Sequence, residues 1–184
     1  MAKQLLMIWP TERLGDLLQL DLPEGYLLRN FQNEDEEAYI NLMKSAGFNE
    51  WNNDNFNSVI EKAISNGLFF IEHIESSEIV GTTVGSKNPT KYFPNGGELG
   101  WVAVNPSHCG KGLGRIVCAA VTKRFLELDY REIYLLTDDF RLPAIKTYLK
   151  LGYIPLYQLP DMKQRWKNIL KKLKLEEADY QTLK

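Results

Sequence analysis

Cysteine is scarce in this chain of 184 residues, which contains only Cys109 and Cys118. Two cysteines cannot build a disulfide framework, and they lack the second pair of ligands that would complete a zinc site. The sequence therefore predicts no metal cofactor. Low cysteine content is also typical of proteins in the reducing cytoplasm, which is where we expect this one.

Strong net charge and long apolar segments are also missing. The formal net charge of -2 gives no bulk electrostatic attraction to nucleic acid. The N-terminal residues, MAKQLLMIWP, form a short apolar run without a small-residue cleavage site, and no later window approaches the length of a membrane span. We expect a single domain over residues 1–184 that binds neither nucleic acid nor a membrane.

Hydrophobic periodicity predicts strands that first cluster and then alternate with helices. Residues 1–24 show no clear hydrophobic period and are predicted to be an N-terminal arm. The arm is expected to lie on a core of residues 25–160. A C-terminal amphipathic helix and tail are predicted at 161–184. The predicted core order, β-α-α-β-β-β-α-β-α-β, is typical of an α/β protein with a mixed sheet covered by helices on both faces. The predicted core strands are 26–31, 68–74, 78–85, 99–104, 132–136 and 153–158, and the second predicted helix is 54–65.

The segment 105–115 carries the clearest signal for a binding site. An Asn-Pro pair ends a strand, and three glycines at alternate positions precede a helix: Gly110, Gly112 and Gly114. Glycine permits positive φ and lets a ligand approach the main chain closely. A helix N-terminus adds unpaired N–H groups and a partial positive charge. Together these features predict a site for an anion such as a pyrophosphate.

Two nucleotide-binding motifs fail on specific residues of this segment. A P-loop requires G-x-x-x-x-G-K-[ST], but Lys111 is followed by Gly112, which has no hydroxyl for magnesium. A dinucleotide fingerprint requires G-x-G-x-x-G, but its last glycine would fall on Arg115 or Val117.

The segment instead resembles the phosphate loop of the GNAT superfamily, the Gcn5-related N-acetyltransferases. That pattern is Arg or Gln, two residues, Gly, one residue, then Gly or Ala, and CGKGLG at 109–114 matches it except at Cys109. A second stretch, RLPAIKTYLKLGY at 141–153, is similar to the family's N-x-x-A-x-x-x-Y-x-x-x-G-F. It keeps Ala144, Tyr148 and Gly152, with Arg141 in place of Asn. The resemblance covers roughly residues 24–160.

The resemblance implies a GNAT acyl-CoA N-acyltransferase fold whose sheet splays between the strand of Val102 and that of Tyr134. It implies direct transfer of an acetyl group from acetyl-CoA to an amine, here expected to belong to a small molecule. Two alternatives stay open: a non-catalytic acyl-CoA-binding sensor, and a protein-interaction module that uses the basic terminal helix. A homodimer also stays open.

The resemblance further implies a coenzyme site built largely from main-chain groups. The strand pairs with the pantetheine arm, the loop amides hold the pyrophosphate, and the helix that follows flanks the arm near its sulfur. The implied residues are Val102, Ala103, Val104, Cys109, Gly110, Lys111, Gly112, Leu113, Gly114, Arg115, Arg141, Ala144 and Tyr148.

Two side chains are candidates for the proton transfers. Tyr148 is implied to be the proton donor to the departing sulfur, although its spacing also suits an aromatic core residue. Glu98 is implied to deprotonate the amine, with His73, Glu72 or no protein base as alternatives. A strand amide near Val102 is implied to stabilise the oxyanion.

Overall fold

Seven strands form one mixed sheet in the computed structural model, which describes residues 3–175. The strands are β1 (Leu5–Ile8), β2 (Tyr26–Asn30), β3 (Ala63–His73), β4 (Glu78–Lys87), β5 (Gly97–Val104), β6 (Ile133–Thr137) and β7 (Ile154–Leu156). Their spatial order is β2-β3-β4-β5-β6-β1-β7. Every neighbouring pair is antiparallel except β5 and β6, which are parallel.

Within the described part of the chain five α-helices pack on this sheet, and the predicted α/β architecture with a mixed sheet is confirmed. The helices are α1 (Glu36–Ser45), α2 (Asn53–Lys62), α3 (Leu113–Glu127), α4 (Leu142–Leu151) and α5 (Met162–Leu173). Adjacent residues of β4 show that both faces are covered, because Val84 packs among α1 and α2 residues whereas Gly85 faces Val121 and Phe125 of α3.

The predicted N-terminal arm is wrong at Leu5–Ile8, which forms an interior strand between β6 and β7. Leu5 and Met7 are fully buried. A strand that is buried on both faces does not alternate between apolar and polar residues. Periodicity therefore cannot identify a four-residue apolar run as a strand. The following residues do lie on the domain, where Leu14, Leu18 and Leu20 pack against the core.

The predicted splay of the sheet is confirmed. The pairing of β5 with β6 covers Gly97 to Leu99 only, opposite Ile133 to Leu135. Strand β5 continues to Val104 and stays paired with β4. The two parallel strands therefore separate beyond Leu99, and the edge of β5 that faces β6 becomes available to a ligand.

The second predicted helix is too long, because α2 ends at Lys62 and β3 begins at Ala63. Asn66 has a left-handed backbone, with φ of 54°, and Gly67 packs so closely that a Cβ would collide with Ile64. These residues form an irregular start to β3 rather than a helix end, and the register with β4 shifts between Ala63 and Leu68. The last predicted strand is also shorter, at Ile154–Leu156.

The predicted C-terminal helix is confirmed as α5, whose apolar face buries Met162, Trp166, Ile169 and Leu170. Residues 176–184 of the predicted tail lie outside the described residues. No helix among residues 3–175 is long and apolar enough to cross a membrane.

Candidate active site

A cavity of about 360 Å³ opens where β5 and β6 separate. Its volume falls in the range of small-molecule sites. Helix α2 and the segment before it form one side, β5 forms the floor, and the end of β6 with the start of α4 forms the other side. Both predicted catalytic residues, Glu98 and Tyr148, line it, as do Val102, Arg141 and Ala144. Residues predicted from two separate motifs therefore meet in one place.

Glu98 is half-buried on β5, opposite Tyr134 of β6. Its Oε2 accepts a hydrogen bond from Nδ2 of Asn88, and the hydroxyl of Tyr134 donates to the Asn88 carbonyl at 2.8 Å. Burial and the neighbouring Glu98 charge raise the pKa of Tyr134 well above its usual value, which keeps that phenol neutral. The carboxylate is thus oriented by polar neighbours at the point where the two strands begin to diverge.

Tyr148 reaches the opposite wall from α4. Arg141, Ala144 and Tyr148 follow one another at i, i+3 and i+7, so one face of the helix carries all three to the cavity. Tyr148 is 6% exposed, and burial raises the pKa of its phenol far above the usual value, with Cys118 adding to this and Arg141 opposing it. The hydroxyl therefore remains a hydrogen-bond donor throughout the physiological pH range.

The glycine loop lies at the C-terminal end of β5 and leads into α3. Gly110 and Gly112 have φ of 82° and 81°, in the left-handed region that favours glycine. A Cβ at either position would meet no atom within 4 Å, so both backbones face open space. Gly112 is the N-cap of the 15-residue helix α3, which has no side-chain cap. Its first amides are therefore available to an anion.

The other loop residues occupy distinct environments. Gly114 packs on β5, where a Cβ would lie 3.6 Å from Val104, and Leu113 is buried in the core. Cys109 and Arg115 are exposed. Lys111 Nζ donates to the hydroxyl of Tyr26 at 2.7 Å, which holds the ammonium group beside the loop.

The two alternative bases on β3 do not line the cavity. Glu72 forms an ion pair with Arg29 at 2.7 Å, and the His73 ring lies 5.0 Å from that of His108, beside the glycine loop. His108 shares a 2.8 Å hydrogen bond with the hydroxyl of Tyr26. Partial burial, Lys111 and His73 together lower the pKa of His108. These histidines are separated from Glu98 and belong to the surroundings of the loop.

A β-bulge shapes the floor of the cavity. Thr82 pairs with Ala103 and Val84 pairs with Gly100, so Thr83 alone opposes Trp101 and Val102. Trp101 has φ of 53°, and the Thr83 hydroxyl donates to the Gly100 carbonyl at 2.8 Å. The bulge breaks the regular ladder beside Val102. Ala103 is buried beneath α1 and α2, and Val104 packs near Ile116 of α3.

Sequence reasoning missed the aromatic residues of the cavity, Phe48, Trp51 and Trp101. They come from the segment between α1 and α2 and from the bulge, neither of which has a periodic signature. The position of Trp101 directly before Val102 on a predicted strand is the signal that could have found one of them. Among residues 3–175, no three His, Cys, Asp or Glu side chains cluster as metal ligands.

Comparison with known proteins supports the fold. The sequence model of the Acetyltransferase (GNAT) family matches residues 26–153. A mycothiol acetyltransferase of Nocardia farcinica is 25% identical over 162 residues, covering 82% of this chain and 53% of the relative. The chain thus spans about half the length of that curated relative.

Solved structures with the same fold include a GCN5-related N-acetyltransferase from Sphaerobacter thermophilus, with a TM-score of 0.66 at 20% identity. The match covers 84% of this chain and 49% of that one. The ribosomal-protein-S18-alanine N-acetyltransferase from Escherichia coli gives a TM-score of 0.56 at 19% identity over 69% of this chain and 76% of that one. At these identities the likeness shows the fold alone.

Proposed function

Because the chain belongs to the Acetyltransferase (GNAT) family, we propose that it transfers an acetyl group from acetyl-CoA directly to the amine of a small molecule. One observation carries the proposal: Glu98 on the floor and Tyr148 on one side line the same cavity, at the opening between β5 and β6. The curated relative is named a mycothiol acetyltransferase, and the choice of a small-molecule acceptor follows that name.

The glycine loop fits the pyrophosphate of coenzyme A. Gly110 and Gly112 present open backbone, and the uncapped N-terminus of α3 supplies amides and a favourable dipole. Lys111 adds a positive charge beside them. From this loop the free edge of β5, from Val104 back to Val102, leads toward the cavity, and we assign it to the pantetheine arm.

Glu98 is positioned to accept a proton from the incoming ammonium group, directly or through a water. A neutral amine nitrogen then attacks the thioester carbonyl, and the C–S bond breaks with the electron pair leaving on sulfur. The nitrogen loses its second proton to that thiolate, directly or through solvent, which leaves an amide and a free thiol. The oxyanion is assigned to a main-chain amide at the bulge, next to Val102.

Tyr148 is assigned to the departing sulfur. Burial raises the pKa of the Tyr148 phenol, so that the phenol holds its proton more tightly than an ordinary thiol does. We therefore assign to Tyr148 the donation of a hydrogen bond to the thiolate, without transfer of the proton. This role requires the hydroxyl but no change in its protonation state, which distinguishes it from a general acid that titrates near neutrality.

Thermal-shift titration with acetyl-CoA tests the proposal. Saturation at about 100 times Kd stabilises a protein by about 2.7 kcal/mol, or roughly 5–10 °C for a chain of this size. An amine panel is then followed by release of free thiol. Coenzyme stabilisation with turnover supports the proposal, stabilisation without turnover on any amine favours the non-catalytic sensor, and no stabilisation at saturating coenzyme overturns both.

A further inference from the structure

Three aromatic side chains form one wall of the cavity, which we call the aromatic wall: Phe48, Trp51 and Trp101. The Trp51 and Trp101 ring centroids lie 4.5 Å apart at an interplanar angle of 68°. Phe48 lies 5.8 Å from Trp101 and 5.9 Å from Trp51, again edge to face. This is the arrangement in which aromatic rings attract one another, and it leaves the Trp101 indole, which is 45% exposed, open to a further ring.

Trp101 occupies this wall at an energetic cost. A left-handed backbone costs a bulky L-residue about 1–2 kcal/mol, and Trp101 adopts it with φ of 53°. Its side chain is nevertheless 45% exposed, so only part of the indole gains from contact with Phe48 and Trp51. Strain of this kind concentrates at sites that bind ligands. Packing alone therefore does not account for a strained, exposed indole above a cavity.

Polar groups without partners surround the same cavity. Trp51 and Thr137 are 4% and 2% exposed and line the cavity, yet the indole Nε1 and the hydroxyl Oγ1 have no hydrogen-bond partner among residues 3–175. Buried polar atoms are nearly always satisfied, so these two are available to a ligand or to water.

Two cations and two carboxylates line the cavity, and they are not all paired with one another. Arg141 forms an ion pair with Asp138 at 3.2 Å, and its guanidinium lies over the Phe48 ring at 4.9 Å. Glu98 has no cationic partner among the described residues. Lys62, the remaining cation of the lining, is exposed. A cationic amine that enters the cavity therefore meets an unpaired carboxylate at Glu98.

We propose that the aromatic wall selects the acceptor, and that the acceptor is a primary amine joined by a short linker to an aromatic ring. The ring packs on Trp101, and the amine lies at Glu98. Both residues lie on β5, three positions apart, and both line the cavity, so one small molecule that carries a ring and an amine can contact the two side chains. The inference rests on the proposed function and specifies its substrate class.

Substitution of Trp101 is the sharpest test, because Trp101→Gly removes the indole and also relieves the backbone strain. Initial rates of thiol release are measured with 2-phenylethylamine, tryptamine and spermidine. The arylethylamines are expected to exceed spermidine about 100-fold in kcat/KM. Trp101→Gly should raise KM for the arylethylamines about 10- to 100-fold, as expected for loss of an aromatic anchor, with the acetyl-CoA thermal shift unchanged. Trp101→Phe should retain most of the affinity.

Tyr92→Ala is the matched control, since Tyr92 is an aromatic residue that is 60% exposed but does not line the cavity. It should leave every rate unchanged. Equal rates for spermidine and 2-phenylethylamine, or an unchanged KM in Trp101→Gly, overturn the inference while the acetyl transfer itself still stands.

A measurement that needs no turnover distinguishes failure of the aromatic site from failure of the proposed acetyl transfer. The other three tryptophans, Trp9, Trp51 and Trp166, are buried, so Trp101 dominates the solvent-exposed emission. Titration with 2-phenylethylamine in the absence of coenzyme should give a saturable change in fluorescence that is absent from Trp101→Phe. If that change occurs in a protein that acetyl-CoA does not stabilise, the aromatic site stands and the proposed function fails. If the change is missing from the wild type, the aromatic site itself is wrong.

Discussion

Glu98 lies directly opposite Tyr134 in the short parallel pairing of β5 with β6, one residue before the strands separate. The carboxylate accepts from the side chain of Asn88, whose carbonyl accepts from the Tyr134 hydroxyl at 2.8 Å. The Glu98 charge and burial keep the Tyr134 phenol neutral. This arrangement fixes a carboxylate at the point where the sheet opens into the cavity.

Glu98→Gln is predicted to lower kcat/KM about 100- to 1000-fold, because it removes the group assigned to take the proton of the amine. The amide keeps the shape of the side chain, so the acetyl-CoA thermal shift should not change. Rates measured from pH 6 to 10 should show that activity recovers as the free amine becomes more abundant. Glu61→Gln, an exposed α2 residue that does not line the cavity, is the control. A variant with wild-type rates at pH 7 would remove Glu98 from the mechanism.

Tyr148→Phe is predicted to lower kcat about 10- to 1000-fold while leaving KM and coenzyme affinity nearly unchanged, because the hydroxyl acts only as the thiolate forms. The pKa of the phenol is raised, so the rate should show no ionisation of Tyr148 up to pH 10. Tyr153→Phe is a matched control, since Tyr153 is fully buried and its hydroxyl bonds to Thr122 at 2.8 Å. It should cost about 1 kcal/mol of stability without changing kcat. Equal effects of the two substitutions on kcat would contradict the role of Tyr148.

Gly112→Ala is predicted to weaken acetyl-CoA binding about tenfold or more. A Cβ at φ of 81° strains the backbone that presents the loop amides, although it collides with nothing. Gly15→Ala provides the comparison, because Gly15 also has open space around it but lies outside the left-handed region. Isothermal titration of both variants separates the two effects. Equal affinities in Gly112→Ala and the wild type would argue against the glycine loop as the pyrophosphate site.

The glycine loop and the Tyr148 side of the cavity can be found in the sequence more easily than the aromatic wall, and the reason is physical. Gly110, Gly112 and Tyr148 belong to motifs whose spacing is fixed by a turn or by a helix repeat, so local pattern suffices. Trp101 reaches the cavity only because of a bulge, and a bulge depends on the pairing of β5 with β4. Phe48 and Trp51 lie in a connection between helices. Such placements depend on contacts distant in sequence, which periodicity does not contain.

Asp35→Asn is predicted to destabilise the protein by about 2–4 kcal/mol at pH 7, because it leaves Arg29 with only part of its partners. Arg29 forks onto Asp35 at 2.7 and 2.8 Å and also pairs with Glu72. Burial acts to raise the pKa of Asp35, but hydrogen bonds from Arg29 and from the Gln32 amide outweigh it and hold that pKa below the usual value.

The sign of the pH dependence follows from this lowered pKa. In the unfolded chain Asp35 has a pKa of about 3.9 and is protonated below that pH, whereas in the folded protein its carboxylate stays ionised to a lower pH. The stabilisation is therefore complete above that value and is lost as pH falls through the folded pKa. Urea unfolding at pH 7 and pH 3 should show that the free energy of unfolding falls less on acidification in Asp35→Asn than in the wild type. Glu34→Gln, at an exposed neighbouring position, should follow the wild type at both pH values.

Met7→Ala is predicted to destabilise the protein by about 2–5 kcal/mol, because Met7 is fully buried on a strand inside the sheet. Leu17→Ala should change stability by less than about 0.5 kcal/mol, since Leu17 is 90% exposed. Urea unfolding of both variants checks the contrast. A peripheral arm would predict similar small effects at the two positions, so equal values would contradict the assignment of β1.

The same strand connects stability to the cavity. Leu5 of β1 pairs with Thr137 of β6, and Gln4, Thr137 and Asp138 all line the cavity. Loss of β1 would leave β6 without one neighbouring strand. Thr137 and Asp138, which line the cavity at the end of β6, would then no longer be held in place. Deletion of residues 1–9 should therefore abolish both the cooperative unfolding transition and the fluorescence response to 2-phenylethylamine. A truncated protein that retained that response would show that β6 holds the wall without β1.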